Sequence, residues 1–262
     1  MKLLSLNIWG GKVYKPLLKF VKEQAKDTDI FCFQEVMQSS VSKFSNGAKT
    51  DIYADLSKIL KNYTGFLATP ILAGFDLKEK VDFDLNLGQA TFIKKGIKVL
   101  SEQTFFVYGE KGPVYFWNIE RKKKRYLDVP RNMQCVIIQK GKEKILIGNL
   151  HGFWMPRSKN DSPERISQSN KIKKIFNPFN GPKIICGDFN LRPETKSIKI
   201  LEQDLKNLIA LFQIKSTRSK LHKRTQKIAD YIMVSDEIKI NKFEVLNEKI
   251  SDHLPLLVDF SV

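Results

Sequence analysis

The sequence predicts one domain of the α/β or α+β class, spanning residues 1–262 and built around large β-sheets. Predicted strands outnumber predicted helices, the helices are interspersed among them, and no low-complexity linker or internal repeat divides the chain. The 262 residues are enough to bury a full core. Hydrophobic residues make up 42% and charged residues 28%, which excludes a disordered chain, a collagen-like chain and a coiled coil.

The first half of the chain begins directly with a predicted strand over 2–8. It lacks the apolar run and small-residue cleavage site of a signal peptide, so we expect a cytoplasmic protein. Apolar residues at helical spacing predict a helix over 13–27, and a second helix is predicted over 51–61 with Thr50 as its N-cap. Apolar runs predict the remaining strands of this half at 29–36, 63–69, 88–94 and 97–107.

The second half opens with an irregular stretch, 109–131, which holds the densest basic run, Arg121 to Arg125. Alternating residues predict a hairpin of strands 133–139 and 144–151. Ser162 as N-cap and Pro163 at the first helical position predict a helix that ends near Phe176. The other predicted elements are a strand at 182–186, a helix near 195–209, and strands at 229–235, 239–246 and 255–261.

The chain is strongly basic, with a net charge of +17. A basic surface attracts polyanions such as nucleic acid or acidic lipid, although a composition rich in Lys, Ile, Asn and Phe also arises from an AT-rich genome. Three cysteines exclude a disulfide scaffold, and Cys32 and Cys186 sit in apolar runs typical of buried free thiols in a reducing compartment. No apolar run approaches the ~20 residues of a membrane span.

Polar residues at the ends of apolar strands are the most informative feature, because a strand end aims a side chain from a rigid base. Taken singly, each has an ordinary interpretation as a turn, capping or packed residue. Together they offer carboxylates, amides and imidazoles without Cys ligands, which suits Mg²⁺ better than Zn²⁺. The imidazoles are then free for phosphate contact or proton transfer. These residues are Asn7, Glu35, His151, Asp188, Asn190, Asp230, Asp252 and His253.

These motifs, in this order, resemble the endonuclease/exonuclease/phosphatase superfamily of DNase I-like enzymes. The strongest are Gly187-Asp188-Phe189-Asn190 and Ser251-Asp252-His253-Leu254-Pro255, and the resemblance extends from Asn7 to His253. It implies a four-layer αββα sandwich, in which two packed mixed β-sheets are flanked by helices. It also implies metal-dependent hydrolysis of a phosphate ester, with Mg²⁺ or Mn²⁺ as the cofactor.

The resemblance also implies a role for each residue. Glu35 would be the principal metal ligand, assisted by Asn7 and Asp252 directly or through water. The other five would act on the phosphate and the attacking water.

Among those five, Asp188 would orient and deprotonate the water, and Asn190 would hold the water or the phosphate. His253 would hydrogen-bond a phosphate oxygen, with Asp230 fixing its tautomer, and His151 would face the phosphate from the other side. A cation and two imidazoles around the phosphoryl group would stabilise the charge that develops there.

The substrate is less well determined by these motifs. Abasic-site endonucleases of this family carry a Tyr where this chain has His151, and inositol polyphosphate phosphatases carry Trp-Cys-Asp-Arg where it has Lys227-Ile228-Ala229-Asp230. Leu191-Arg192 is similar to tyrosyl-DNA phosphodiesterases. Three residues are candidate substrate contacts through stacking or phosphate binding, with packing under a loop or a solvated surface as the alternative: Trp154, Arg157 and Arg165.

These observations predict a Mg²⁺-dependent phosphodiester hydrolase, a nuclease or nucleic-acid-end phosphodiesterase that acts as a monomer. A phosphomonoesterase or a lipid phosphodiesterase of the same fold is the alternative. A catalytically silent polyanion-binding protein is the alternative of a different class.

Overall fold

The computed structural model describes residues 1–40, 47–72, 75–76, 79–80, 85–110, 112–113, 129–156 and 158–262. The helices in these ranges are a 3₁₀ turn at Trp9–Gly11, α1 (Tyr14–Gln24), α2 (Ile52–Ile59), α3 (Pro163–Phe176), α4 (Lys196–Glu202) and α5 (Leu208–Leu211). The strands of the first half are β1 (Lys2–Asn7), β2 (Ile30–Gln38), β3 (Tyr63–Leu72), β4 (Phe75–Asp76), β5 (Glu79–Lys80), β6 (Asn86–Lys94), β7 (Lys98–Tyr108) and β8 (Gly112–Pro113). Those of the second half are β9 (Arg131–Lys140), β10 (Glu143–His151), β11 (Lys183–Asp188), β12 (Lys206–Asn207), β13 (Asp230–Val234), β14 (Lys239–Val245) and β15 (Leu256–Ser261).

Two mixed sheets form the body of the protein. In the described ranges the first sheet has the order β14-β15-β1-β2-β6-β3-β8, and the second has the order β12-β13-β11-β10-β9-β7. The pairs β1–β2 and β10–β11 are parallel, whereas β1–β15 and β11–β13 are antiparallel.

The alternation of side chains along the strands creates the four layers. Phe31 and Phe33 of β2 belong to a cluster with Leu17 of α1 and Leu56 of α2 on the outer face of the first sheet. Cys32 points the other way and belongs to the core between the sheets. Residues of α3 and α4 such as Ile172 and Ile198 cover the second sheet. The predicted four-layer sandwich of two mixed sheets is therefore confirmed.

A buried amide ties the two sheets together beneath the strand ends. Asn149 of β10 accepts a hydrogen bond from Gln34 Nε2 of β2 at 2.8 Å, and its own Nδ2 donates to Ala90 O of β6 at 3.1 Å. Both side chains are completely buried. Because a buried polar group is costly when unpaired, this network fixes how the sheets are stacked at that edge.

Strand register places the predicted site residues at one edge of the sandwich. Asn7 ends β1 and pairs with Gln34, which directly precedes Glu35 in β2. His151 ends β10 opposite Asp188, and Asp188 in turn lies opposite Asp230. The carboxyl ends of the parallel pairs β1–β2 and β10–β11 therefore lie at the same edge of the sandwich.

Two predicted helix details are wrong. The helix predicted near 195–209 is interrupted, since α4 ends at Glu202 and β12 lies between it and α5. Asn207 pairs with Met233 as part of that edge strand, and its Oδ1 then caps α5 by accepting from Ile209 N at 3.0 Å. The N-cap of α2 is Asp51 rather than Thr50.

One further structural prediction is confirmed, and two others concern residues outside the described ranges. Ser162 caps α3 as predicted, with its Oγ accepting from Arg165 N at 3.3 Å. The basic run Arg121 to Arg125 and the side chain of Arg157 lie outside the described residues. No helix in the part of the chain that the structure describes is long and apolar enough to cross a membrane.

Candidate active site

The carboxylate of Asp188 is the centre of the predicted site. It ends β11 and is 2% exposed. Its Oδ1 accepts a hydrogen bond from Asn190 N at 2.9 Å. Four side-chain nitrogens from separate segments approach Oδ2: Asn7 Nδ2 at 3.3 Å, His253 Nε2 at 3.7 Å, His151 Nε2 at 3.9 Å and Arg218 Nη2 at 4.0 Å. The structure thus brings together residues that are far apart in the sequence.

The surroundings of Asp188 keep it ionised. Burial alone would raise its pKa, but the charges of His253, Lys159 and Arg218 outweigh burial and lower the pKa below its usual value.

Gly187, which directly precedes Asp188, permits the close approach of β10 and β11. With φ at +135°, a Cβ on Gly187 would lie 1.9 Å from Leu150 O, so no other residue fits there.

Glu35 lies where β2 bulges, between Gln34 and Val36, with φ at +56°. Its Oε1 accepts a hydrogen bond from Asn7 Nδ2 at 3.0 Å, and its side chain is 24% exposed. Burial, followed by the negative charge of Asp252, raises the pKa of Glu35. The bulge turns this carboxylate out of the regular alternation and towards the other site residues.

Asp252 lies on the other side of the site and is flanked by two cationic or potentially cationic groups. Its Oδ2 is 3.5 Å from Arg218 Nη1 and 3.4 Å from His222 Nδ1. Burial would raise the pKa of Asp252, but His253 and the bond from His222 lower it.

The predicted metal ligands fit a hard divalent cation in their chemistry. Glu35, Asp252 and Asn7 offer carboxylate and amide groups, which Mg²⁺ and Mn²⁺ prefer. Besides burial, the negative charge of Asp252 raises the pKa of Glu35, and a bound cation would relieve that repulsion. The amide oxygen of Asn7 accepts from Trp9 N at 2.9 Å, which fixes the orientation of the amide. Its Nδ2 then donates to the carboxylates of Glu35 and Asp188 and orients both.

A second group of possible ligands lies deeper in the site. Ligand atoms of Asp188, Asp230 and His253 lie within 4.8 Å of one another. However, Asp230 Oδ1 is bonded to His253 Nδ1 at 2.7 Å, and Asp230 Oδ2 accepts from Thr217 Oγ1 at 2.7 Å. Both oxygens of Asp230 are therefore engaged, whereas Glu35 is partly exposed and bonds to Asn7 through Oε1. The group around Glu35 is the better candidate for a cation.

The Nδ1 atoms of His253 and His151 face groups of opposite charge, a carboxylate and a guanidinium. Asp230 accepts from Nδ1 of His253, which leaves Nε2 facing Asp188. Burial and Arg218 lower the pKa of His253, but the carboxylates Asp230, Asp252 and Asp188 outweigh them and raise it.

His151 instead has its Nδ1 at 3.3 Å from Arg131 Nη1. A guanidinium can only donate, so Nδ1 accepts and the proton of the neutral ring sits on Nε2. Burial, followed by the charge of Arg131, lowers the pKa of His151 well below its usual value. His151 is therefore a neutral donor whose Nε2 is 3.9 Å from both Glu35 Oε1 and Asp188 Oδ2.

Asn190 has both ends of its amide engaged. Nδ2 donates to Gly152 O at 3.1 Å, and Oδ1 accepts from Lys159 Nζ. Burial lowers the pKa of Lys159 to about 8. Asn190 thereby fixes the loop after β10 and holds a buried cation beside Asp188.

Arg165, one of the predicted substrate contacts, has a structural role instead. Arg165 is completely buried, and its guanidinium donates to the carbonyl oxygens of Phe153, Ser158 and Asn160. It holds the loop that carries Lys159, so we do not retain it as a substrate contact. Trp154 is partly buried in the same loop.

Four cationic or potentially cationic side chains at the site were missed by the sequence analysis: Arg131, Lys159, Arg218 and His222. None of these four residues belongs to one of the strand-end motifs. For Arg218 and His222 the available signal was a basic stretch before β13, residues 215–227, with six Lys or Arg residues and no Asp or Glu.

Comparisons with solved structures agree with the observed architecture. An endonuclease/exonuclease/phosphatase family protein from Leptotrichia buccalis is 19% identical, with a TM-score of 0.70 and full coverage of both chains. A mannosyl-6-phosphatase from Bacteroides thetaiotaomicron is 16% identical, with a TM-score of 0.68 and full coverage of both chains. A humanized TDP2 from D. rerio is 13% identical, with a TM-score of 0.64, covering 100% of this chain and 99% of its own. At these identities the likeness shows the fold alone.

Sequence comparison gives the family. No curated protein sequence matches the chain significantly. The sequence model described as the Endonuclease/Exonuclease/phosphatase family matches residues 4–253, which includes every predicted site residue. The chain therefore belongs to the endonuclease/exonuclease/phosphatase family, as its strand-end motifs predicted.

Proposed function

We propose that the protein is a Mg²⁺-dependent phosphodiester hydrolase acting on nucleic acid, as a nuclease or a nucleic-acid-end phosphodiesterase. The observation that carries this proposal is the position of Asp188 Oδ2, 3.7 Å from His253 Nε2 and 3.9 Å from His151 Nε2. An ionised carboxylate between two imidazole donors suits attack of water on a phosphoryl group.

In this proposal Asp188 orients the attacking water and accepts its proton. His253 and His151 donate hydrogen bonds from Nε2 to phosphoryl oxygens, where negative charge develops. Asp230 acts through His253 as a positioning residue, and Asn190 keeps the neighbouring loop in place.

Glu35, Asn7 and Asp252 would hold Mg²⁺ or Mn²⁺. When bound, the cation supplies positive charge that stabilises the phosphoryl group and the leaving oxygen.

Arg218 supports an anionic substrate at the same place. Its Nη1 contacts Nε2 of His253, and its Nη2 lies 4.0 Å from Asp188 Oδ2. A guanidinium and a charged imidazole beside Asp188 can each donate a hydrogen bond to the oxygens of a phosphate bound there.

The total charge of +17 gives little support for nucleic acid by itself. Exposed lysines such as Lys26, Lys95 and Lys142 lie near the strand ends opposite Glu35 and His151. The preference for nucleic acid rests instead on the cations at the site and on residues 215–227 next to it.

A phosphomonoesterase is the second candidate. Lys159 and Arg218 place two additional cations beside Asp188, which suits the second charge of a terminal phosphate. A lipid phosphodiesterase has no comparable observation in its favour. A silent polyanion-binding protein is disfavoured because the sequence contains every residue of the proposed machinery.

Cellular location and assembly are part of the proposal. The three cysteines are buried free thiols, which supports a reducing compartment such as the cytoplasm. We propose that the protein acts there as a monomer.

The test is a hydrolysis screen of the purified protein with Mg²⁺, Mn²⁺ or EDTA. The substrates are single- and double-stranded DNA, RNA, bis-p-nitrophenyl phosphate and p-nitrophenyl phosphate. We expect metal-dependent cleavage of the diesters and of nucleic acid. Hydrolysis of the monoester alone would replace the proposal by the second candidate.

A further inference from the structure

The segment 215–227, called the basic loop below, connects the region after α5 to β13. It contains Lys215, Arg218, Lys220, His222, Lys223, Arg224 and Lys227, and no acidic residue. Most exposed lysines of a basic protein only solvate a surface. This loop differs because it is attached to the reaction centre.

The loop is closed at its base and fixed to the site. Thr217 N donates to Lys227 O at 2.8 Å, which brings the two ends of the loop together. Thr217 Oγ1 donates to Asp230, the partner of His253. The base of the loop therefore moves with the residues that surround the reacting phosphate.

Three further contacts attach the loop to the segment that carries Asp252 and His253. Arg218 forms a β-bridge with His253, and Ser219 Oγ donates to Ser251 O at 2.6 Å. His222 Nδ1 lies 3.4 Å from Asp252 Oδ2. The loop thus runs along the rim of the site with two of its side chains, Arg218 and His222, directed inwards.

The remaining cations of the loop are exposed. All five are solvent-accessible, and within the described residues none of them forms a salt bridge: Lys215, Lys220, Lys223, Arg224 and Lys227. Hydrogen bonds and ion pairs therefore hold the inner residues, while the other cations of the same loop are exposed to solvent.

We propose that the basic loop is a second anion subsite, which binds the phosphates that flank the reacting phosphate in a strand of nucleic acid. A strand offers repeated charges at short intervals, which matches several exposed cations on one loop that is fixed beside the site. Flexible lysines bind such phosphates as point charges without reading sequence. This inference rests on the proposed function and adds the part of the molecule that selects the substrate.

The experiment compares two triple variants that remove the same kind of charge in different places. K220S/K223S/R224S alters the basic loop. K140S/K142S/K144S is the matched control, because these exposed lysines lie at the far end of β9 and β10 from His151. Binding of a short fluorescent single-stranded DNA is measured by anisotropy in EDTA over a range of salt concentrations. Thermal melting checks that each variant is folded.

We expect the loop variant to lose affinity by roughly tenfold or more at low salt. The log–log slope of affinity against salt should flatten by about 2, since each phosphate contact on a single strand contributes about 0.7. The control variant should keep the wild-type slope to within about 0.5, because its lysines contact no phosphate in this arrangement.

Equal losses in both variants would overturn the proposal, since they would show attraction by net charge alone. An unchanged slope in the loop variant would also overturn it. Because binding is measured without metal, this outcome leaves the proposed hydrolysis of phosphodiesters untouched. That hydrolysis is tested separately, and it fails if the wild-type protein cleaves no phosphodiester with Mg²⁺ or Mn²⁺.

Discussion

Oδ1 of Asp230 lies 2.7 Å from Nδ1 of His253, whereas Nδ1 of His151 faces the guanidinium of Arg131. The first contact favours a charged imidazole and the second a neutral one. Both leave Nε2 directed at Asp188. The site therefore pairs a charged donor with a neutral donor on either side of one carboxylate.

The bond between Asp230 and His253 predicts a non-additive pair of substitutions. His253→Ala should lower kcat/KM for bis-p-nitrophenyl phosphate by roughly 10²-fold or more, the effect of losing one transition-state donor. Asp230→Asn should lower it through the same imidazole. The double variant should then be little worse than His253→Ala alone.

His151→Ala is the companion experiment, with an expected loss of similar size. Melting temperatures should change little, since neither ring forms part of the hydrophobic core. Independent losses for Asp230→Asn and His253→Ala, multiplying in the double variant, would contradict a role for Asp230 through His253.

The proposed cation ligands predict a metal-dependent change in stability. Mg²⁺ or Mn²⁺ should raise the melting temperature of the wild-type protein by mass action, and EDTA should reverse the rise. Glu35→Gln should abolish most of the shift. Asp230→Asn should preserve it, because Asp230 is not among the proposed ligands.

If Asp230→Asn abolished the shift and Glu35→Gln preserved it, the cation would instead bind at the deeper group of Asp188, Asp230 and His253. Calorimetric titration of each variant with Mn²⁺ gives the affinities directly and is independent of turnover.

Lys159 predicts an alkaline limit to activity. Because burial lowers its pKa to about 8, the ammonium loses its charge as pH rises through that value, well below the usual value of 10.5. We expect kcat/KM to fall above about pH 8 in the wild-type protein. The profile of Lys159→Met should lack this step, since no charge remains to be lost.

Lys159→Arg serves as the conservative variant, because a guanidinium stays charged across this range. Its activity should not decline near pH 8. A decline of equal size in all three proteins would assign the step to another group.

Much of this site could be predicted from residues at the ends of apolar strands. Asn7, Asp188 and His151 follow buried runs whose parallel pairing sends them to one edge. The contacts of Arg131, Lys159 and Arg218 could not be predicted in this way, because loops and neighbouring strands that no local pattern aligns bring them in. The division between α4 and α5 was missed for a related reason, since pairing of β12 with β13 overrides the helical spacing.

Arg165 predicts a loss of stability rather than a direct loss of chemistry. It is fully buried and donates to the carbonyl oxygens of Phe153, Ser158 and Asn160. Arg165→Met would leave these acceptors without their donor and should lower the free energy of unfolding by about 3 kcal/mol. Chemical denaturation measures this change.

Arg165→Lys should recover only part of the stability, because an ammonium lacks the planar fork that reaches three acceptors. A variant as stable as the wild type would show that the loop from 153 to 160 does not depend on this side chain.

The most direct test of the account is the rate of bis-p-nitrophenyl phosphate hydrolysis by wild-type protein and by Asp188→Asn, each in Mg²⁺, Mn²⁺ and EDTA. We expect release of p-nitrophenol that requires a divalent cation. We also expect a fall of roughly 10²-fold or more in Asp188→Asn, the effect of removing a general base. Full hydrolysis in EDTA, or an unchanged rate in a folded Asp188→Asn variant, would contradict it.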